Sequence, residues 1–145
     1  MKPDPAYDIT TDVSRFDMDL IHEFLANSYW ARNIPRDVVE RSIRHSLGFA
    51  AFRGNKQVGF VRVVTDYATI AYIGDLFVVP EHRQRGIARQ LMQAILAHPE
   101  LQGLRRFLLA TRDAQGLYGQ FGFEALAHPE HFMTIHRPDV YSTYP

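Results

Sequence analysis

Six consecutive residues, Arg83-Gln84-Arg85-Gly86-Ile87-Ala88, carry the clearest chemical signal in the chain. They follow an apolar run that stops at Pro80 and lead into the strongest helical pattern of the sequence. Strand, glycine-containing turn and helix start together favour an anion. The first helical N–H groups lack intrahelical acceptors, the helix dipole attracts negative charge, and Gly86 and Ala88 put little bulk in the way of a phosphate. Arg83, Arg85 and Arg89 add positive charge, and Glu100 is the sole carboxylate between Arg83 and Arg112. Over the whole chain Lys plus Arg and Asp plus Glu number 16 each. That balance argues against sequence-independent binding of nucleic acid or an anionic membrane, and points to a small polyanionic ligand. A second signal is Asp75, a carboxylate inside an otherwise apolar run, where it is costly unless paired or catalytic. Both readings stay open. Asp66, Tyr67 and Tyr72 are weaker candidates, because a turn Asp more often bonds local backbone. The chain has no Cys, which excludes disulfides, thiolate metal sites and a cysteine nucleophile. Neither a G-x-x-x-x-G-K-[ST] loop nor an early G-x-G-x-x-G is present, so nucleoside triphosphate and dinucleotide sites of those types are disfavoured.

These groups need elements to hold them. At 145 residues, with 46% hydrophobic and 22% charged residues, the chain reads as one globular domain, residues 1–145. Tyr7 to Thr11 suits a short strand. Asp17 is a helix N-cap, and Met18, Ile21, Phe24 and Leu25 form the buried stripe of a helix reaching about Asn27. An aromatic connector, Ser28 to Ile34, precedes Pro35 and a second helix expected to close near Gly48. Phe49 to Arg53, a Gly54-Asn55 turn and Gln57 to Thr65 read as a hairpin. After a turn at Asp66-Tyr67, Thr69 to Val79 reads as a central strand covered on both faces. Arg85 to Ala97 is the clearest helix, followed by a strand at Arg106 to Thr111 and a short helix at Ala114 to Phe121. Phe123 to Leu126 and Met133 to His136 are candidate strands. An antiparallel meander followed by strand, helix, strand predicts a mixed α/β sheet with a right-handed crossover.

The loop also fits a family pattern. Arg83-Gln84-Arg85-Gly86-Ile87-Ala88 resembles the pyrophosphate signature [RQ]-x-x-G-x-[GA] of the GCN5-related N-acetyltransferase (GNAT) family. Leu117-Tyr118-Gly119-Gln120-Phe121-Gly122-Phe123 resembles its second signature, L-Y-x-x-x-G-F. The two motifs stand in the family's order, and the resemblance spans about Phe49 to Leu126. It implies a mostly antiparallel mixed sheet flanked by helices on both faces, and acetyl-coenzyme A as the cofactor. On that resemblance Arg83, Gln84, Arg85, Gly86, Ile87 and Ala88 hold the pyrophosphate, while pantetheine runs along Phe77 and Val78 as an added strand would. The Val78 N–H is the oxyanion candidate, and Tyr118 matches the general acid that protonates the leaving thiolate. Asp75 is a candidate base for the acceptor amine. Thr111 stands where the family often has Asn, so its cofactor contact is through a hydroxyl. The acceptor pocket would be walled by Tyr29, Trp30 and Arg32, with the aromatics covering an amine and Arg32 clamping an acidic group.

The activity implied is acetyl transfer to a primary amine, most simply of a small molecule, by direct attack in a ternary complex. The alternatives are a non-catalytic acyl-coenzyme A sensor or partner-binding domain, and a protein or aminoacyl-tRNA N-acetyltransferase; zero net charge weighs against the tRNA version. No metal is expected: His128-Pro129-Glu130-His131 has suggestive letters, but its proline breaks any helix that would align the ligands. A cytoplasmic location is the default expectation, without a signal-like or bilayer-length apolar run. A homodimer, built on a sheet edge or the aromatic tail Tyr141 to Tyr144, is expected from the resemblance. Gly86→Glu should weaken coenzyme A binding by roughly tenfold or more, through bulk and negative charge at the pyrophosphate. Unchanged affinity in a calorimetric titration would place the pyrophosphate elsewhere.

Overall fold

A computed structural model describes residues 6–142. Two compact units divide the chain, Met1–Ala110 and Thr111–Pro145. The first holds a sheet of five strands in the order β1 (Asp8–Thr10), β2 (Leu47–Arg53), β3 (Lys56–Thr65), β4 (Ile70–Val78) and β5 (Arg106–Leu109). β1 to β4 pair antiparallel and β5 joins β4 in parallel. The parallel step needs a crossover, which α3 (Ile87–Ala97) supplies.

The helices form where capping and periodicity require them. In α1 (Met18–Ala26) the Asp17 carboxylate accepts from Leu20 N–H at 3.0 Å, and Ile21 and Leu25 are buried. α2 (Arg36–Arg44) follows Pro35 and buries Val39 and Ile43. It stops at His45, earlier than the glycine at 48 implied. Gly48 instead lies inside β2, where a Cβ would stand 2.8 Å from the Phe16 ring. The glycine serves close packing rather than helix termination. The sheet carries helices on both faces. Phe77 of β4 stacks on Phe24 of α1, with centroids 4.1 Å apart. On the face away from Phe77, shared by the cross-strand pair Gly59 and Val78, Gly59 meets Ile87 of α3.

β4 departs from a strand covered on both faces. The layer containing α1 reaches Phe60 and Phe77, whereas Val64, Ile70 and Tyr72 further along the same face are exposed. The turn before β4 is held by Asp66, whose carboxylate accepts from the N–H groups of Ala68, Thr69 and Ile70 and from the Thr69 hydroxyl. Local backbone bonding thus accounts for this residue, as its turn position implied.

In the second unit the helix is shorter than its pattern, α4 (Gln115–Gly119). The candidate strands at 123–126 and 133–136 are not formed; neither segment has a ladder partner among the described residues, and Met133 and Ile135 are exposed. Alternation alone does not make a strand without a partner edge. Tyr144 of the aromatic tail lies outside the described residues. Among the described residues no helix is long and apolar enough to cross a membrane.

The hydrogen bonds to Asp66 hold its carboxyl well below the usual carboxylate range. A depressed folded-state pKa means the contribution is present above the unfolded value, near ~3.9, and is lost as pH falls through the folded one. The melting temperature should therefore fall on acidification below about pH 4, and fall less in Asp66→Asn, which keeps an acceptor oxygen but cannot titrate. An identical acid profile for the variant would contradict this.

Candidate active site

β4 is irregular where the chemistry was expected. Phe60 pairs with Phe77 but Arg62 pairs with Gly74, so β4 spends one extra residue and bulges at Asp75-Leu76. Asp75 takes a positive φ of 60°, a conformation that Asp tolerates better than most side chains. Its carboxylate is fully engaged. Oδ2 accepts from Arg62 Nε at 2.8 Å and Oδ1 from the Trp30 indole N–H at 2.9 Å. The ion pair is largely enclosed, with 21% of the Arg62 side chain and 12% of Asp75 accessible. Arg62 also donates to Ser46 Oγ, which in turn donates to the Ser42 carbonyl. Of the two readings open for Asp75, this bonding supports the paired carboxylate, which ties the connector after α1 to the bulge.

Beyond the bulge, one edge of β4 has no strand partner among the described residues. The ladder with β5 stops at Ile73 opposite Leu109. Val79 N–H donates to Val58 O at 2.9 Å, so by alternation the polar groups of Val78 point to the other edge. Leu76 shares that direction, which the sequence reading missed although the period of two would have found it. The Val78 carbonyl accepts from Arg83 Nε at 3.0 Å, bringing these two candidate residues together. Phe77, by contrast, buries its ring beneath α1, leaving only its backbone for a ligand.

The strand runs through a 3-10 turn, Pro80–His82, into the basic loop. Gln84 and Gly86 have positive φ, 63° and 80°, and alternation of this kind turns backbone N–H groups into a concavity suited to anions. Gly86 is the residue before α3 and no side chain caps that helix, so the amides of Ile87 and Ala88 lack intrahelical acceptors. The Ile87 side chain is buried; it packs the helix down while its backbone faces the loop.

A cavity of about 570 Å³ opens beside the segment that follows β4, lined by Leu20, Glu23, Phe24, Asn27 and Ser28 of α1 and its end, by Tyr29 and Trp30, and by Val79, Pro80 and Glu81. Tyr29 and Trp30 meet edge to face, 5.1 Å between centroids. The exposed Arg32 is not among the lining residues. Glu23 and Glu81, which the sequence reading passed over, carry the cavity's acidic groups.

Thr111 and Tyr118 belong to the second unit. Thr111 Oγ accepts from Ala114 N–H at 3.1 Å and so helps start α4. Tyr118 is buried on α4, its ring edge-on to Phe123 at 5.9 Å. The 128–131 run does converge despite its proline: a 3-10 turn stacks the His128 and His131 rings 4.7 Å apart, with His128 Nδ1 3.0 Å from Glu130 Oε1. All three are exposed, with ligand atoms within 4.8 Å of one another.

Residues 17–123 match the model of the acetyltransferase (GNAT) family. The chain belongs to that family. A GNAT-family protein of Xanthomonas campestris has a crystal structure that superposes with a TM-score of 0.93 at 51% identity, covering 96% of this chain and 99% of that one. A Gibberella zeae protein classed as an acetyltransferase is 30% identical, over 79% of this chain and 76% of its own length. A GNAT acetyltransferase of Elizabethkingia anophelis, solved with acetyl-CoA bound, shares the fold at 13% identity and a TM-score of 0.64, covering 83% of this chain and 78% of that one. As a GNAT acetyltransferase the chain has an acyl-transfer fold in which the β4 bulge, its bare edge and the basic loop lie in series.

Removing Arg62 leaves the Asp75 charge without its ionic partner. Arg62→Met should cost about 2–3 kcal/mol in urea unfolding, and Arg62→Met with Asp75→Asn should cost less than Arg62→Met alone. The emission of Trp30, the sole Trp, should shift in both. Additive losses would mean that the pair is not coupled.

Proposed function

We propose that residues 1–145 constitute a single N-acetyltransferase domain that moves an acetyl group from acetyl-CoA to a primary amine of a small molecule, in a ternary complex and in the cytoplasm. The observation that carries this reading is the bare edge of β4 at residues 74–78 running into a loop of outward amides and arginines. An extended amide chain adds to such an edge as a strand would, and a diphosphate suits the loop. Acetyl-CoA, when bound, supplies an activated thioester.

The chain's own groups then divide the work. The amides of Arg85 to Ala88, with Arg83 and Gln84, bind the diphosphate. The Val78 carbonyl accepts from Arg83 Nε with one lone pair and keeps the other for pantetheine, and a diphosphate offers the Arg83 guanidinium a stronger partner. The Val78 N–H, with Leu76 on the same edge, donates to the thioester oxygen as charge develops there. Tyr118 donates a proton to the departing thiolate, and Thr111 contributes a hydroxyl to the cofactor. These two roles rest on the L-Y-x-x-x-G-F motif.

An acceptor amine arrives as an ammonium, since alkyl amines have pKa values near ~10. A cavity with two aromatic rings and the carboxylates of Glu23 and Glu81 favours such a cation. The cation must pass its proton to water or a carboxylate before attack. Asp75 acts here by position: it holds the Trp30 ring through the indole N–H, while Arg32 stands outside the cavity and acts at its approach. The size and charge of the cavity favour a small cationic amine over a macromolecular acceptor.

Thiol release measured across mono-, di- and polyamines tests the reading. Tyr118→Phe should lower kcat by about 10²-fold or more while leaving coenzyme A affinity unchanged. Full turnover in the variant would remove Tyr118 from proton transfer. Cofactor binding without thiol release for any amine would favour the acyl-coenzyme A sensor.

A further inference from the structure

Next to the basic loop, a buried tyrosine gathers positive charge for which the sheet offers no use. Tyr7, just before β1, is 7% exposed. Its hydroxyl lies 2.7 Å from His82 Nδ1 and accepts from Arg53 Nη1 and Arg85 Nη1, each at 3.4 Å. A hydroxyl has one proton and two acceptor lone pairs. Two guanidiniums can only donate, so they take both lone pairs and the tyrosine proton goes to His82 Nδ1. The imidazole then keeps its own proton on Nε2, as a further donor. The Arg53 guanidinium also lies over the Tyr7 ring, 5.5 Å from its centroid, and the His82 ring packs against it edge-on. All three basic groups are thereby held around one rigid ring.

Neither Arg53 nor Arg85 has a carboxylate partner among the described residues; the ion pairs of this region engage Arg15 with Asp8 instead. Contacts of 3.4 Å are at the long end for N–H···O bonds, so most of the donor capacity of both guanidiniums remains unspent. Two like charges sharing one neutral oxygen repel each other, and an anion between them removes that cost.

We propose that Arg53, Arg85 and His82, oriented by Tyr7, form a phosphomonoester site that takes the ribose 3′-phosphate of coenzyme A. The proposal rests on the cofactor reading above. Two features select this ligand chemistry. A phosphomonoester is close to a dianion at neutral pH, which matches two guanidiniums and an imidazole N–H, and its oxygens accept the paired donors that arginine presents. Arg85 also belongs to the loop assigned to the diphosphate, and in coenzyme A the 3′-phosphate is separated from the diphosphate by one ribose. A single cofactor can therefore use both sites, with Arg85 between them.

Calorimetric titration of the full chain with coenzyme A, 3′-dephospho-coenzyme A and inorganic phosphate tests this, in the wild type and in Arg53→Gln. The wild type should bind coenzyme A about tenfold more tightly than the dephospho form. Arg53→Gln should lose that preference by weakening coenzyme A alone; its unchanged affinity for the dephospho form also certifies that the variant is folded. Equal affinity of the wild type for the two nucleotides, or equal weakening of both in the variant, overturns the site. So does inorganic phosphate bound through Arg53 without any preference for the 3′-phosphate, which would make the cluster a free-phosphate site. Failure of both nucleotides to bind the wild type overturns the cofactor reading and the subsite with it.

Discussion

The functional end of the sheet depends on a single irregularity, the extra residue that β4 inserts at Asp75-Leu76. A regular antiparallel strand keeps each carbonyl and N–H in a fixed alternation, and its twist continues smoothly to the next strand. One added residue changes the twist locally and breaks the ladder. Here the pairing with β5 ends just before the bulge, and beyond it one edge has no strand partner among the described residues, the Val78 carbonyl being met only by Arg83. The residue that pays the conformational cost, with φ of 60°, is also the one whose carboxylate is bonded on both oxygens. Strain in the backbone is offset by an ion pair and an indole N–H bond, neither of which is local in sequence.

That anchoring has a second effect. Trp30 sits on a connector with no regular structure, and a half-exposed ring on a loop would ordinarily sample several rotamers. The bond to Asp75 fixes it across the cavity mouth, with Tyr29 edge-on beside it. Ser42, Ser46 and Arg62 extend the same bonded series to the end of α2. One carboxylate thus couples the shape of the strand to the shape of the cavity wall, so a change at the bulge is felt at the wall.

Charge is arranged just as unevenly. In a chain with no net charge, Arg83 in the loop after β4 is folded back on the Val78 carbonyl, while Arg85 beside it and Arg53 at the end of β2 crowd around the Tyr7 hydroxyl. Glu23 and Glu81 line the cavity.

Much of this was written in local sequence. Asp17 as a helix cap, the Gly54-Asn55 hairpin, the Asp66 turn and the α3 helix are set by short-range hydrogen bonding and by apolar periodicity, so they could be read directly. The basic loop was equally legible, because glycine before a helix is a local requirement. Other features were settled by partners distant in the chain. Gly48 looked like a helix stop, but its reason is the ring of Phe16; the partners of Asp75, Arg62 and Trp30, lie 13 and 45 positions away. Segments 123–126 and 133–136 alternate as strands do, yet a strand exists only where an edge accepts it. The Tyr7 cluster joins residues separated by as many as 78 positions, and no window on the sequence contains them together. Sequence by itself determined the locally capped helices, the tight turns and the basic loop, since those follow from backbone propensity and nearby hydrogen bonds. Only the tertiary structure decided which charges meet, because that depends on register across the sheet.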